Sequence, residues 1–254
     1  MLRRKAWGVM RRIMPAVLAV GMLPWPSLAD TCGAPEEIFV FEPTLPRFVA
    51  ALGKKQTVTI VAIGGASTEG QAAGESGYAW PEQLGVALRK RYPEATIDVV
   101  NLGKRRQTAA AMVARFEKDV LPRQPKLVVW ETGTVDAVRG TDLDSFRATL
   151  EYGLADLRPA TEVVLMDSQF SRRTSAFIDF EPYVRAMRLI ADVNDVPLFP
   201  RRELMRYWSE HGELDLSVTG KEKRQALAQK LYRCIGETLA AFVTRAPAHA
   251  RGDR

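Results

Sequence analysis

Residues 57–70 read TVTIVAIGGASTEG: Thr57 to Ile63 is an apolar run rich in β-branched residues, and Gly64-Gly65-Ala66-Ser67-Thr68-Glu69-Gly70 follows it directly. Such a run fits a strand buried on both faces, and the glycines fit a tight turn off its end. The same signature recurs at Thr96 to Leu102 (TIDVVNL), Lys126 to Glu131 (KLVVWE), Glu162 to Asp167 (EVVLMD) and Val196 to Phe199 (VPLF). Between these runs, apolar residues return at helical spacing: Leu84, Leu88 and Tyr92; Met112, Val113, Phe116 and Val120; Phe146, Leu150 and Leu154; Val184, Met187 and Ala191. A last helix is predicted through Leu227, Leu231, Ile235 and Leu239. Five strands, each followed by a helix, predict an α/β fold. With right-handed crossovers this is a three-layer α/β/α sandwich around a five-stranded parallel sheet. Chemistry is then expected on the loops at the carboxyl ends of the strands.

The loop at 64–70 fits neither common nucleotide pattern. A phosphate loop would carry lysine where Gln71 stands, and a dinucleotide fingerprint needs another glycine spacing. What remains is Ser67 at the end of a central strand, close to backbone N–H groups, as a candidate nucleophile. The competing reading of Ser67 is a helix N-cap.

The chain has 254 residues, 46% hydrophobic and 26% charged, the composition of an ordinary globular domain. Its formal charge of +6 is concentrated at the start: Arg3, Arg4, Lys5, Arg11 and Arg12 precede any acidic residue. Without them 31 basic residues face 30 acidic ones, so nucleic-acid binding is not expected. The basic start, the apolar stretch Ile13 to Leu23 and Ser27-Leu28-Ala29 read as a signal peptide over 1–29, with a mature chain beginning near Asp30. An uncleaved anchor is the alternative. The apolar run is shorter than the roughly 20 residues a span needs, and Pro15, Pro24 and Pro26 interrupt it, so no stable membrane span is expected. Arg11-Arg12 leaves the export route, general or twin-arginine, open. Periplasmic or secreted localisation follows.

The two cysteines, Cys32 and Cys234, are expected to form a disulfide in such a compartment, with two buried thiols as the alternative. The expected organisation is a signal peptide (1–29), an extension tied by Cys32 (30–56), the α/β domain (57–243) and a polar tail (244–254).

The loop motifs resemble those of the SGNH or GDSL-type hydrolases, serine esterases with a flavodoxin-like sandwich. The likeness spans roughly Thr57 to Ala240. The family's first block, Gly-Asp-Ser or Gly-Ser-Ser, is matched by Ile63 to Gly70 with Ser67 in the nucleophile place. The second block, a glycine whose N–H faces the oxyanion, is matched by Asn101-Leu102-Gly103. The third, Gly-x-Asn-Asp, appears as Gly133-Thr134-Val135-Asp136, with Val135 where the oxyanion asparagine should be and Thr134 as a possible substitute donor. The last block, Asp-x-x-His, appears as Asp215-Leu216-Ser217-Val218, with Val218 in the histidine place.

Of the two histidines, His249 lies in the tail and His211 lies four residues before Asp215, so a shifted loop would have to bring His211 to Ser67. A surface histidine is the alternative. Losing one oxyanion donor costs about 2.7 to 4 kcal/mol, and losing a triad base on the order of a million-fold in turnover. The resemblance implies an ester hydrolase or deacetylase acting on a small ester or an acylated envelope glycan. The missing groups point instead to a catalytically impaired binding or accessory protein. No cofactor is implied, and no His/Cys/Asp cluster has the spacing of a metal site. A monomer is expected.

Basic residues gather at the same loops: Lys104, Arg105 and Arg106 after the second strand, Arg139 after the third, Arg172 and Arg173 after the fourth, Arg201 and Arg202 after the fifth. They would form an anion-binding rim with Arg105 and Arg172 as its leading members. The alternative is solvated arginines partly paired with Glu69, Glu75 and Asp136.

Overall fold

A computed structural model of the chain describes residues 32–39, 44–54 and 56–245. The expected signal peptide, His249 and nearly all of the expected tail lie outside these residues. The strands are β1 (Thr57–Ile63), β2 (Thr96–Asn101), β3 (Leu127–Glu131), β4 (Glu162–Met166) and β5 (Leu198–Phe199). They form one sheet in the order β2-β1-β3-β4-β5, every pair parallel.

The helices, in chain order, are α1 (Pro46–Leu52), α2 (Ala66–Glu69), α3 (Trp80–Arg91), α4 (Ala109–Val113), α5 (Thr134–Arg139), α6 (Leu143–Leu157), α7 (Arg172–Ser175), α8 (Glu181–Val193), α9 (Arg201–Glu210) and α10 (Lys221–Val243). The three-layer sandwich follows from alternation along the strands. Val58, Ile60, Ala62, Leu127, Val129, Val164 and Met166 point to one face and pack on α1, α3, α9 and α10. Val61, Ile63, Val128, Trp130, Val163 and Leu165 point to the other and pack on α4, α6 and α8.

The central strands are therefore apolar at almost every position, as parallel strands covered on both sides must be. Charged exceptions fall at strand ends: Glu162 opens β4 and accepts from the N–H groups of Arg47 and Phe48, while at the carboxyl ends Glu131 closes β3 and Asp167 follows β4. All three are buried. With β1 and β3 adjacent, the chain leaves the sheet in opposite directions on either side of them, so their carboxyl ends are the switch point where sheets of this kind are expected to bind ligands in a crevice.

The segment before α1 is fastened to the far layer. Cys32 and Cys234 form a disulfide, the Trp208 indole N–H donates to the Gly33 carbonyl at 2.9 Å, and the Phe39 ring packs on Phe199 and Phe242. No helix among the described residues is long and apolar enough to cross a membrane.

Candidate active site

The loop after β1 enters α2 through Gly65, which occupies the N-cap position, so Ser67 is not the cap. Ala66, the first residue of α2, is exposed, whereas Ser67 is 7% exposed and Thr68 is fully buried. The Ser67 hydroxyl faces the interior. Its Oγ lies 2.7 Å from each Glu131 carboxylate oxygen and donates to them, and it accepts from Arg201 Nη1 at 2.8 Å. The same Arg201 nitrogen is 3.0 Å from Glu131 Oε1, and the Thr68 hydroxyl donates to Glu131 Oε2.

Ser67, Thr68, Glu131 and Arg201 thus form a buried polar cluster joining the β1 loop, the end of β3 and the start of α9. A carboxylate and a guanidinium withdrawn from water need each other and further hydrogen bonds to compensate their desolvation. Ser67 and Thr68 supply two of those bonds. The expectation that Ser67 presents a free hydroxyl at the strand end is corrected by this geometry: the exposed side chain at the turn is the methyl group of Ala66. Gly64-Gly65-Ala66 is also a possible register for the Gly-Asp-Ser block, and in it alanine takes the serine place.

The other expected groups do not converge on Ser67. The Gly103 N–H, expected to face an oxyanion, donates instead to Asn101 Oδ1 at 2.9 Å, while Asn101 Nδ2 donates to the Thr68 carbonyl at 2.7 Å. Asn101 is thereby a strut between two loops. A Cβ at Gly103 would meet the Glu69 nitrogen at 2.2 Å, so only glycine permits this approach. Asp136 is buried and accepts from the Ala109 N–H, anchoring the start of α4; burial raises its carboxyl above the usual range. It forms none of the ion pairs expected with the rim arginines. Thr134 Oγ1 is buried without a partner.

His211 caps the end of α9 at the surface. Its ring stacks on Tyr207, and its Nδ1 is 2.9 Å from the Tyr207 carbonyl. Asp215 is exposed and accepts from the Ser217 N–H and hydroxyl, bonds that hold its carboxyl below the ordinary value. Among the described residues neither His211 nor Asp215 hydrogen-bonds to Ser67. Val135 and Val218 are both half-buried.

The rim divides. Arg105 pairs with half-buried Glu69 at 3.2 Å, and Arg139 donates to the Arg106 carbonyl. Arg172 and Arg173 are exposed. Arg201, expected on this rim, is instead fully buried under Ser67. The half-buried Arg202 holds the β4 loop by donating to the Gln169 carbonyl and the Ser175 hydroxyl, and its guanidinium lies over Phe170 and Phe180.

Sequence reasoning gave no site role to Glu131 or Asp167, and it placed Arg201 on the exposed rim rather than beneath Ser67. The available signal was a charged residue at or just beyond the end of an apolar strand. Asp167 is fully buried; its Oδ1 accepts from the Arg202 N–H, and its Oδ2 has no partner. Burial pushes its pKa up to about 7, against the opposing hydrogen bond from Arg202 and the field of Arg201. Among the described residues no group of three or more His, Cys, Asp or Glu side chains is placed to hold a metal.

Solved structures share the fold. A two-domain esterase active on acetylated mannans superposes with TM-score 0.64 at 18% identity over 84% of this chain and 57% of that one. The same esterase crystallised with mannopentaose gives 0.60 at 18% over 78% and 54%. An acetylxylan esterase from Geobacillus stearothermophilus, as a catalytic mutant, gives 0.53 at 22% over 70% and 94%. The chain spans little more than half the length of the two-domain esterase. No curated protein matches it. Residues 31–249 match the sequence model of the Non-GDSL lipase-like family, and the chain belongs to that family, within the SGNH/GDSL-type hydrolases.

Proposed function

We propose that this protein is an exported, non-hydrolysing member of its family that uses the crevice at the ends of β1 and β3 to bind an acylated or anionic glycan of the cell envelope. One observation carries the reading. The only two hydroxyls of the loop 64–70, those of Ser67 and Thr68, are spent inward on Glu131, and Ala66 is the exposed residue. The valines at the asparagine and histidine positions fit the same reading, as does the consumption of the Gly103 N–H by Asn101. The disulfide supports an oxidising compartment. The likeness to esterases active on acetylated mannan and xylan supports a glycan as the ligand class.

A second reading has a specific observation behind it. The contact of 2.7 Å between Ser67 Oγ and Glu131 is the reach of a general base to a nucleophile, so hydrolysis would run through Ser67 with Glu131 accepting its proton. A substrate carbonyl would then have to reach a hydroxyl that is 7% exposed and already accepts from Arg201. Hydrolysis of 4-nitrophenyl acetate separates the two: equal background rates for wild type and Ser67→Ala support binding without turnover. A wild-type rate that disappears in Ser67→Ala supports the hydrolase.

A further inference from the structure

Apart from Arg105 and from Arg139, whose guanidinium turns to the Arg106 carbonyl, the exposed basic residues of the carboxyl edge stand in two groups, and the strand order separates them. Lys104 and Arg106 follow β2, Arg172 and Arg173 follow β4, and β1 and β3 lie between. Three strand spacings make that gap roughly 14 Å. All four side chains are exposed, and among the described residues none of them forms an ion pair or side-chain hydrogen bond. They differ in this from Arg105, paired with Glu69, and from Arg201, buried on Glu131.

Both groups sit on fastened loops. The Lys104 N–H donates to the Gly64 carbonyl at 2.9 Å, tying the first bank to the turn that carries Ala66. Arg106 adopts a left-handed backbone conformation, φ 63°, in a non-glycine residue, and Arg139 donates to its carbonyl at 3.2 Å. Such a conformation persists only where the surroundings over-determine it. The second bank is held by Arg202, stacked on Phe170 and Phe180 and bonded to Gln169 and Ser175. Phe177, on the same loop, is 86% exposed. Asp215 is the acidic group whose carboxyl feels Arg172.

Resting on the reading of this protein as a glycan binder, we propose that its ligand is a linear polyanionic glycan that bridges the two banks. The polymer crosses the crevice over Ala66, with acidic groups on Lys104 and Arg106 at one end and on Arg172 and Arg173 at the other. Phe177 offers an apolar face to a sugar ring beside the second bank. Two cationic banks without ion pairs, only the second of them opposed by a nearby carboxylate, that of Asp215, complement a flexible chain bearing repeated negative charges better than a single compact anion. Their fastened loops reduce the ordering cost of binding.

Calorimetric titration with oligomannuronates tests this at low salt on the full mature chain. A disaccharide is too short to touch both banks and a hexasaccharide is long enough. Bridging predicts that wild type binds the hexasaccharide at least roughly tenfold more tightly than the disaccharide, because the second contact is intramolecular. Lys104→Glu with Arg106→Glu should reduce the hexasaccharide to disaccharide affinity, and so should Arg172→Glu with Arg173→Glu. Combining the two should add little. Glutamine versions replace any glutamate variant whose melting temperature falls, and the wild-type length comparison needs no variant.

Equal affinity for both lengths overturns the proposal, as do losses that simply add across the banks. Binding to phosphatidylglycerol vesicles with none to the hexasaccharide overturns it in favour of a membrane surface. The aryl ester assay is indifferent to these outcomes, so failure of the bridge and failure of the non-hydrolytic reading are distinguishable.

Discussion

Arg201 is the residue on which the site depends most. Its guanidinium is fully buried, neutralises Glu131 and donates to Ser67, so removing it leaves a buried carboxylate with no counter-charge and only the Ser67 and Thr68 hydroxyls to solvate it. Arg201→Met is expected to destabilise the fold by about 3 to 5 kcal/mol, and adding Glu131→Gln to recover a large part of the loss. Urea unfolding of the single and double variants measures both.

Asp167 gives a second expectation at this scale. In the fold its pKa is raised from 3.8 to about 7, so between those values the native state keeps a proton that the unfolded chain releases. Its contribution to stability is therefore full below the unfolded value and is lost as pH rises through about 7. Relative to Asp167→Asn, wild type should lose stability between about pH 4 and pH 7. At about 1.36 kcal/mol per pKa unit, the loss is at most on the order of 4 kcal/mol. Asparagine keeps the acceptor that the Arg202 N–H uses. Equilibrium unfolding of both proteins across that range checks the sign; parallel curves would contradict it.

At the scale of elements, α2 shows why a motif is easier to find than a role. Periodicity locates the end of β1 and the turn after it, and the strand boundaries agree with the sequence reading to within two residues. Whether Ser67 faces solvent or core depends on a one-residue shift along a four-residue helix, and no period is readable over that length. Asp215 and His211 fail for a related reason. Their position in sequence relative to α10 is legible, but the loop before α10 turns them to the surface, where Ser217 and Tyr207 take their polar atoms. Glu131 and Arg201 were visible as charged residues at strand ends; their pairing across the β1 loop is a tertiary fact.

The orientation of α2 makes a functional prediction. Val135→Asn with Val218→His should yield no Ser67-dependent gain in aryl ester hydrolysis. Adding Ala66→Ser should yield a gain that depends on the new serine, by roughly a hundred-fold if both groups reach it, a cautious fraction of what they contribute in working triads. The same scale predicts the cost of crowding α10 against α3. A Cβ at Gly236 would lie 2.6 Å from the backbone of Gln83 and Leu84, so Gly236→Ala should destabilise by about 1 to 3 kcal/mol in thermal or chemical unfolding.

For the whole molecule, the fold class was legible because five buried strands and their intervening helices each carry a clean hydrophobic pattern, and handedness leaves few ways to connect them. The Cys32–Cys234 bridge was legible from the cysteine count and the expected export. It closes a loop of 202 residues, for which the chain-entropy model gives about 5 kcal/mol as an upper figure. Chemistry on this scaffold is decided by side-chain direction at the carboxyl edge, and the inward hydroxyls and the exposed Ala66 are the grounds for proposing that this chain binds without hydrolysing. Intact-mass analysis after incubation with a serine-directed fluorophosphonate tests that claim most directly. No adduct is expected on wild type, and none on Ser67→Ala under the same treatment. One adduct per chain in wild type, absent from Ser67→Ala, would contradict that claim.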